Sequence, residues 1–318
     1  MSELRQMIPT PKFALLAALS VATSLATAHS SWAAEPTAPT AFVLNHSETF
    51  DLKSKAGRDY QIFVAAPVGE APPEGYPIVY ASDGNAMFPI MTSIANVLSM
   101  DKRAIFVGIG YRSEWPWDAR RNFDLTPPTP VEAAPAPGTE ARPASRRAPG
   151  ESGGNEVFLE FIETELKPAI EARYKVDKTH QTLFGHSYGG LFTLHALFSR
   201  PGTFQTYIAA APSIFYGNQA ILKEAKAFKA KALPANTTLK LLLTHNTEPR
   251  RPDARPDGPN TRNREEGARI LADDLKTVTG LTTEYRHYDN ESHVSMLPGS
   301  ITAALLFAVG ETPRTPRR

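Results

Sequence analysis

The chain has 318 residues, of which 42% are hydrophobic and 21% are charged, and its formal net charge is +1. This near-neutral balance lacks the basic excess with which proteins neutralise many phosphates, so nucleic acid is not an expected partner. The absence of cysteine excludes disulfides, thiolate metal sites and a cysteine nucleophile. The composition is that of a globular protein long enough to bury a large core.

The first residues carry the pattern of a secretory signal peptide. Arg5 and Lys12 precede the apolar run FALLAALSVATSLATA, and small residues follow it. This run of about 16 residues is shorter than the roughly 20 that cross a bilayer, so a membrane anchor is the less favoured interpretation. We predict a signal peptide over residues 1–33, cleaved after Ala28 or Ala33, and a periplasmic or secreted mature protein without indicated membrane association.

Strand and helix patterns then alternate along the chain. Predicted strands lie at residues 60–66, 77–82, 104–111, 181–185, 206–212, 238–245 and 282–289. Predicted helices lie at residues 155–174, with Asn155 as its cap, and at 188–200, 217–232 and 263–280. This alternation predicts one α/β domain over residues 34–318, with a mostly parallel central sheet and helices on both faces.

Two segments rich in proline interrupt this rhythm, an insertion at 126–154 and a charged stretch at 247–264. They are either mobile surface loops or loops that flank a site at the carboxyl ends of the strands and supply arginines to a ligand. Both interpretations stay open from the residues alone.

The stretch LFGHSYGG contains the pattern G-x-S-x-G between a predicted strand and a predicted helix. In that context the pattern predicts a strained turn that exposes Ser187 as a nucleophile. Small residues are needed on both sides, which accounts for Gly185 and Gly189, and the NH group of Tyr188 is the expected first oxyanion donor. The alternative for Ser187 is an ordinary helix-capping serine.

A serine nucleophile needs a base, and hydrolases with this turn place their histidine after the last strand. His293, in YDNESHVSMLPGS, occupies that place. His186 adjoins the nucleophile and is expected to line the substrate pocket or to pack. The remaining candidates, His195, His245 and His287, fall inside predicted elements and are expected to be packing or surface residues.

The acid that would orient the base is less determined by the pattern. Glu248 is the first carboxylate after the strand at 238–245 and is the preferred candidate. Asp289 and Glu291 lie near His293 in sequence, and a serine–histidine dyad with a dispensable acid is a further alternative.

A second oxyanion donor is expected in the loop after an early strand. In YASDGNAMF, Gly84 permits a tight backbone path and the NH group of Asn85 would point into the site. The alternative is that Asp83 and Gly84 form only a turn.

Several of these segments together resemble the periplasmic siderophore trilactone esterases of the esterase D branch of the α/β-hydrolases, which hydrolyse enterobactin and salmochelin. The resemblance rests on YASDGNAMF, IGYRSEWPWDARRNFDLTPPTP, GGNEVFLEFIETELKPAIEARY and LFGHSYGGLFTLHALFSRPGTFQTYIAAAPSIFY, and it runs from about residue 45 to 308. It implies an α/β-hydrolase fold, a serine esterase without metal or organic cofactor, and a small-molecule ester substrate that is a ferric or iron-free catecholate siderophore.

By the same resemblance Ser187 is the nucleophile, His293 the base, Asn85 and Tyr188 the oxyanion hole, and Arg121 a contact to the anionic substrate. Nearby arginines, namely Arg120, Arg146 and Arg147, either meet the same negative charge or form an exposed basic loop. Two other functions stay open: an exported carboxylesterase of broad acyl specificity or acting on thioesters, and a non-catalytic siderophore-binding protein.

Overall fold

The computed structural model describes residues 43–44, 46–100, 103–128, 151–247 and 261–309, with side chains described from residue 266 onward in the last of these ranges. All of these except Val43 belong to one compact unit. The predicted signal peptide, Glu248, Arg146 and Arg147 lie outside the described residues. Within the described ranges, no helix has the length and apolar character needed to cross a membrane.

A single sheet of eight strands forms the centre of the described part. Its strands are β1 Ser47–Lys53, β2 Asp59–Ala65, β3 Tyr76–Ser82, β4 Ile105–Gly110, β5 Val176–His186, β6 Thr206–Ala210, β7 Leu239–Thr247 and β8 Leu281–Asp289. Their order in the sheet is β1-β2-β4-β3-β5-β6-β7-β8. The β1·β2 and β2·β4 pairs are antiparallel and all other neighbours are parallel, which agrees with the predicted mostly parallel sheet.

Helices cover this sheet on both faces. They are α1 Gly84–Val97, α2 Arg121–Leu125, α3 Asn155–Phe161, α4 Lys167–Glu171, α5 Tyr188–Ser199, α6 Tyr216–Lys229, α7 Thr261–Leu275 and α8 Leu297–Ala308, with a π-helical turn at Ile162–Leu166 between α3 and α4. Two apolar layers result, because successive side chains of a strand point to opposite faces. Leu183 packs in the layer with Phe192 of α5, whereas Phe184 packs in the layer with Leu305 of α8.

The central strands are short apolar runs because both of their faces are covered. Every residue of β4 is buried, and burial of each large apolar side chain contributes about 1.5–3 kcal/mol. Because β3 to β8 are all parallel, their carboxyl ends lie at one edge of the sheet. Ser187 directly follows β5, Arg121 follows β4 and His293 follows β8.

Some sequence-based expectations about elements were wrong. Gly154, not Asn155, is the N-cap of α3; Asn155 is the first helical residue and is buried. The helix predicted over 155–174 is interrupted by the π-helical turn. In α6, residues Gly217–Gln219 have left-handed backbone angles, so regular helix begins only after them.

Four elements were not among the predicted strands and helices: β1, α1, α2 and α8. Among the described strands, β1 lies at an edge of the sheet and pairs with β2, and its polar sequence SETFDLK follows from its exposure. Helix α8 begins with Leu297, Pro298 and Gly299. A proline is compatible with the first helical turn, but Pro–Gly is also a common loop signal.

Candidate active site

Ser187 occupies a sharp turn between β5 and α5. Its backbone angles are φ 61° and ψ −114°, a region that residues with a side chain adopt only under strain. The turn is held by hydrogen bonds from the NH group of Ser187 to Ala210 O at 2.9 Å and from the NH group of Ser213 to Ser187 O at 3.1 Å. The geometry is that predicted for a nucleophile on a strand-turn-helix junction.

Gly185 and Gly189 are required because neither position has room for a side chain. A Cβ atom on Gly185 would lie 2.0 Å from the carbonyl oxygen of Gly189, and one on Gly189 would lie 2.3 Å from Ser82 Oγ. Such distances are well inside van der Waals contact. The turn therefore has the small residues on which the sequence prediction depended.

The two candidate oxyanion donors are backbone NH groups at the starts of helices. Tyr188 is the first residue of α5, and the first helical hydrogen bond there runs from Leu191 N to Ser187 O. Asn85 is the second residue of α1, where the bonds to Asp83 O begin with Ala86. The NH groups of Tyr188 and Asn85 thus precede the intrahelical hydrogen bonds of their helices. Their role as oxyanion donors stays a proposal.

The side chain of Asn85 anchors the backbone beyond β4. Its Nδ2 donates to Tyr111 O at 2.8 Å and to Ser113 O at 3.2 Å, and its Oδ1 accepts from Tyr111 N at 2.8 Å. Gly84 allows α1 to approach β4, because a Cβ there would lie 2.7 Å from Gly108 C. The segment is therefore more than a turn: it joins α1 to β4 beside the nucleophile.

His293 lies in the loop between β8 and α8, and the structure brings it to the nucleophile turn. Its ring centroid is 4.5 Å from that of His186, the residue that precedes Ser187. His186 Nε2 lies 2.8 Å from His293 O. The candidate base, which is 106 residues from Ser187 in sequence, therefore lies next to the nucleophile turn.

Two of the alternative acids are engaged elsewhere. Glu291 accepts a hydrogen bond from Ser295 Oγ, and Asp289 Oδ1 lies 3.1 Å from His287 Nε2. Asn246 Nδ2, near the end of β7, donates to Glu291 O at 2.8 Å. The position of Glu248, the preferred acid, is not described, so its role stays a prediction.

Two nitrogens of the Arg121 side chain are hydrogen-bonded to a neighbouring carboxylate. Its Nε and Nη2 donate to Asp83 Oδ1 and Oδ2 at 2.6 and 2.9 Å, and the guanidinium lies 5.0 Å from the ring centre of Tyr188 and 5.4 Å from that of Trp117. A substrate contact by Arg121 would use the remaining Nη1 donors. Arg120 is more exposed and pairs with Asp118.

Sequence reasoning did not single out three residues at this site, Asp83, Trp117 and Ser213. Ser213 Oγ lies 3.4 Å from Ser187 Oγ, and the Trp117 ring lies 6.3 Å from that of His186. The positive φ of Asp83 at 56° could not be read from a common Asp–Gly pair. Segment APSIFY carries no spacing signal that would have marked Ser213.

Known proteins resemble this chain over most of its length. Residues 54–289 match the Esterase family model. The ferri-bacillibactin esterase BesA of Bacillus subtilis is 36% identical over 276 residues, which cover 85% of this chain and 91% of that protein.

Two solved structures have the same fold over most of the chain. The BES protein from Bacillus cereus has a TM-score of 0.72 and 31% identity, and the match covers 86% of this chain and 99% of that one. The enterobactin hydrolase IroE in complex with DFP has a TM-score of 0.62 and 28% identity, with 84% and 96% covered. Because the family model matches residues 54–289 and a relative is 36% identical over 85% of the chain, this chain belongs to the Esterase family and has an α/β-hydrolase fold, with a strained serine where a strand turns into a helix.

Proposed function

We propose that this protein is a serine esterase that hydrolyses the ester bonds of a catecholate siderophore trilactone, of the enterobactin class, and so assists release of iron. The observation that carries the proposal is the strained backbone of Ser187 beside the loop of His293. Relatives that are esterases or hydrolases of siderophores support the substrate class.

Ser187 and His293 would carry out acyl transfer in two steps. Ser187 Oγ attacks the ester carbonyl carbon while its proton passes to the His293 imidazole, and the tetrahedral oxyanion accepts hydrogen bonds from the NH groups of Tyr188 and Asn85. The bond to the leaving alkoxide then breaks, and the alkoxide takes the proton from His293. Water repeats the sequence on the acyl-enzyme and releases the acid with restored Ser187.

Two further residues have proposed roles in this scheme. Glu248 would accept a hydrogen bond from His293 and stabilise the imidazolium that forms. Arg121 would present its Nη1 donors to an anionic catecholate, since its Nε and Nη2 atoms already donate to Asp83. Neither proposed role requires a metal or an organic cofactor.

The site of action follows from the amino-terminal pattern. A cleaved signal peptide would place the enzyme in the periplasm or outside the cell. Cutting a trilactone there would open its ring and weaken iron chelation.

The test is chromatographic analysis of products from ferric and iron-free enterobactin, with wild type and Ser187→Ala. The matched control is Ser199→Ala, because Ser199 lies on the same helix and donates to His195 O at 2.8 Å, away from the turn. Linear trimer, dimer or monomer from wild type and the control only is the expected result.

Other outcomes would separate the parts of the proposal. Hydrolysis of simple aryl esters without cleavage of enterobactin would retain the nucleophile and reject the siderophore substrate. Equal turnover by Ser187→Ala and wild type would reject the serine mechanism.

A further inference from the structure

His186 is a buried titratable residue that the proposed reaction does not use. It is the last residue of β5, it directly precedes Ser187, and only 2% of it is exposed. Its ring packs against those of His293 and Trp117, with centroids at 4.5 and 6.3 Å. Nothing in the acyl-transfer scheme requires a second imidazole at this position.

The hydrogen bonding of His186 defines its tautomer. A carbonyl oxygen only accepts, so the 2.8 Å contact with His293 O requires a proton on His186 Nε2. Nδ1 is buried and has no hydrogen-bond partner among the described residues, which suits an unprotonated ring nitrogen better than a charged donor. Burial lowers the pKa of His186 to about 3. The ring is therefore a neutral donor.

That donor acts on the main chain of the proposed base. Side-chain donors among the described residues hold the loop between β8 and α8, including Asn246 to Glu291 O at 2.8 Å and His186 to His293 O. Of these two bonds, the one from His186 reaches His293 itself. It links the main chain of His293 to the residue that precedes Ser187. One hydrogen bond therefore connects the backbone segments that carry the two reacting side chains.

We propose that His186 is a positioning residue, whose Nε2–H bond to the carbonyl of His293 sets the distance between the proposed base and Ser187. The proposal depends on the proposed role of His293. It differs from the sequence-based expectation that His186 lines the substrate pocket, since a positioning residue affects the chemical step and a residue that contacts substrate affects substrate binding. A misplacement of about 1 Å at such a site can reduce the rate about 100-fold.

The test compares three replacements of His186. Glutamine places an amide NH₂ as many bonds from Cα as Nε2, methionine has similar length and no donor, and asparagine is an amide one bond too short. Steady-state kinetics are measured with p-nitrophenyl acetate, a simple aryl ester, so the result does not depend on the siderophore substrate. Ser187→Ala, measured beside them, reports separately whether the serine mechanism holds.

We expect His186→Gln to retain kcat within about threefold of wild type, and the methionine and asparagine variants to lose kcat about 10- to 100-fold with KM within about twofold. Equal kcat in folded Gln, Met and Asn variants would overturn the proposal, as would a rise in KM with unchanged kcat. If only the glutamine variant folded, the bond would support the fold as a whole, which also overturns a specific role in positioning His293.

Discussion

Arg121 and Asp83 form a two-bond ion pair directly beside the proposed oxyanion hole, with Nε–Oδ1 at 2.6 Å and Nη2–Oδ2 at 2.9 Å. Their side chains are 12% and 1% exposed. Asp83 precedes the segment of Gly84 and Asn85, so the pair fixes the start of α1 against α2. An arginine that the sequence suggested as a substrate contact is therefore also a support of the backbone on which the proposed catalysis depends.

Removal of Arg121 should destabilise the protein strongly. Arg121→Met leaves the buried carboxylate of Asp83 without its partner, so we expect the free energy of unfolding to fall by about 3 kcal/mol or more. Arg120→Met is the matched control: Arg120 is 41% exposed and pairs with Asp118, and we expect a loss of about 1 kcal/mol or less. Urea denaturation measures both, and similar losses in the two variants would contradict the assignment.

The strain at Ser187 predicts an order of stability among inactive variants. Ser187→Gly and Ser187→Ala both lack the hydroxyl, but glycine accepts φ 61° and ψ −114° without steric cost. Relief of about 1–3 kcal/mol of strain exceeds the added entropy cost of glycine, so the glycine variant should be more stable by about 1 kcal/mol. Chemical denaturation tests this, and an alanine variant of equal or greater stability would show that the turn is unstrained.

Substitution of a glycine in the turn should prevent proper folding. Gly185→Ala places a Cβ 2.0 Å from the Gly189 carbonyl oxygen, and we expect loss of soluble protein or of more than about 3 kcal/mol. The same change at Gly267 of α7 meets open space and should stabilise the helix by up to about 1 kcal/mol. Soluble yield and thermal unfolding measure the pair. A stable Gly185→Ala protein would disprove the close contact of β5 and α5.

Buried His186 should make stability depend on pH. Burial, followed by the electrostatic effect of His293, lowers its pKa to about 3; the hydrogen bond to the His293 main chain acts in the opposite direction, and Arg121 and His245 lower the pKa further. Between its ordinary pKa of about 6.5 and about 3, the unfolded chain binds a proton that the folded chain does not. Stability from this residue is therefore present above about pH 6.5 and is lost as pH falls.

The measurement is the free energy of unfolding of wild type and His186→Gln across pH 7 to 4. Wild type should lose stability more steeply than the variant, by up to about 1.4 kcal/mol per pH unit below 6.5. Because His293, Arg121 and His245 are present in both proteins, their own titration largely cancels in the difference. Parallel curves would mean that the folded protein binds the proton at His186.

The local sequence was sufficient to predict the turn that carries Ser187. Gly185, Ser187 and Gly189 lie within five residues, and the strain, the small neighbours and the helix start all follow from a strand that passes directly into a helix. The mostly parallel sheet was also predictable, since apolar runs of strand length alternate with helices. Edge strand β1 was missed because exposure removes the apolar pattern on which strand prediction depends.

The amino-acid sequence by itself determined the α/β architecture, the position of Ser187 on its turn and the choice of His293 as the proposed base. Only the tertiary structure decided which residues surround them. These contacts are the hydrogen bond from His186 to the carbonyl of His293, the ion pair of Arg121 with Asp83, and the contact of Ser213 with Ser187. The strained turn at Ser187 and the helix start after it are set by residues that are neighbours in sequence, so a local sequence pattern predicts them. Hydrogen bonds between residues 26 to 107 positions apart form only when the sheet brings its carboxyl ends to one edge, and no spacing along the chain predicts them.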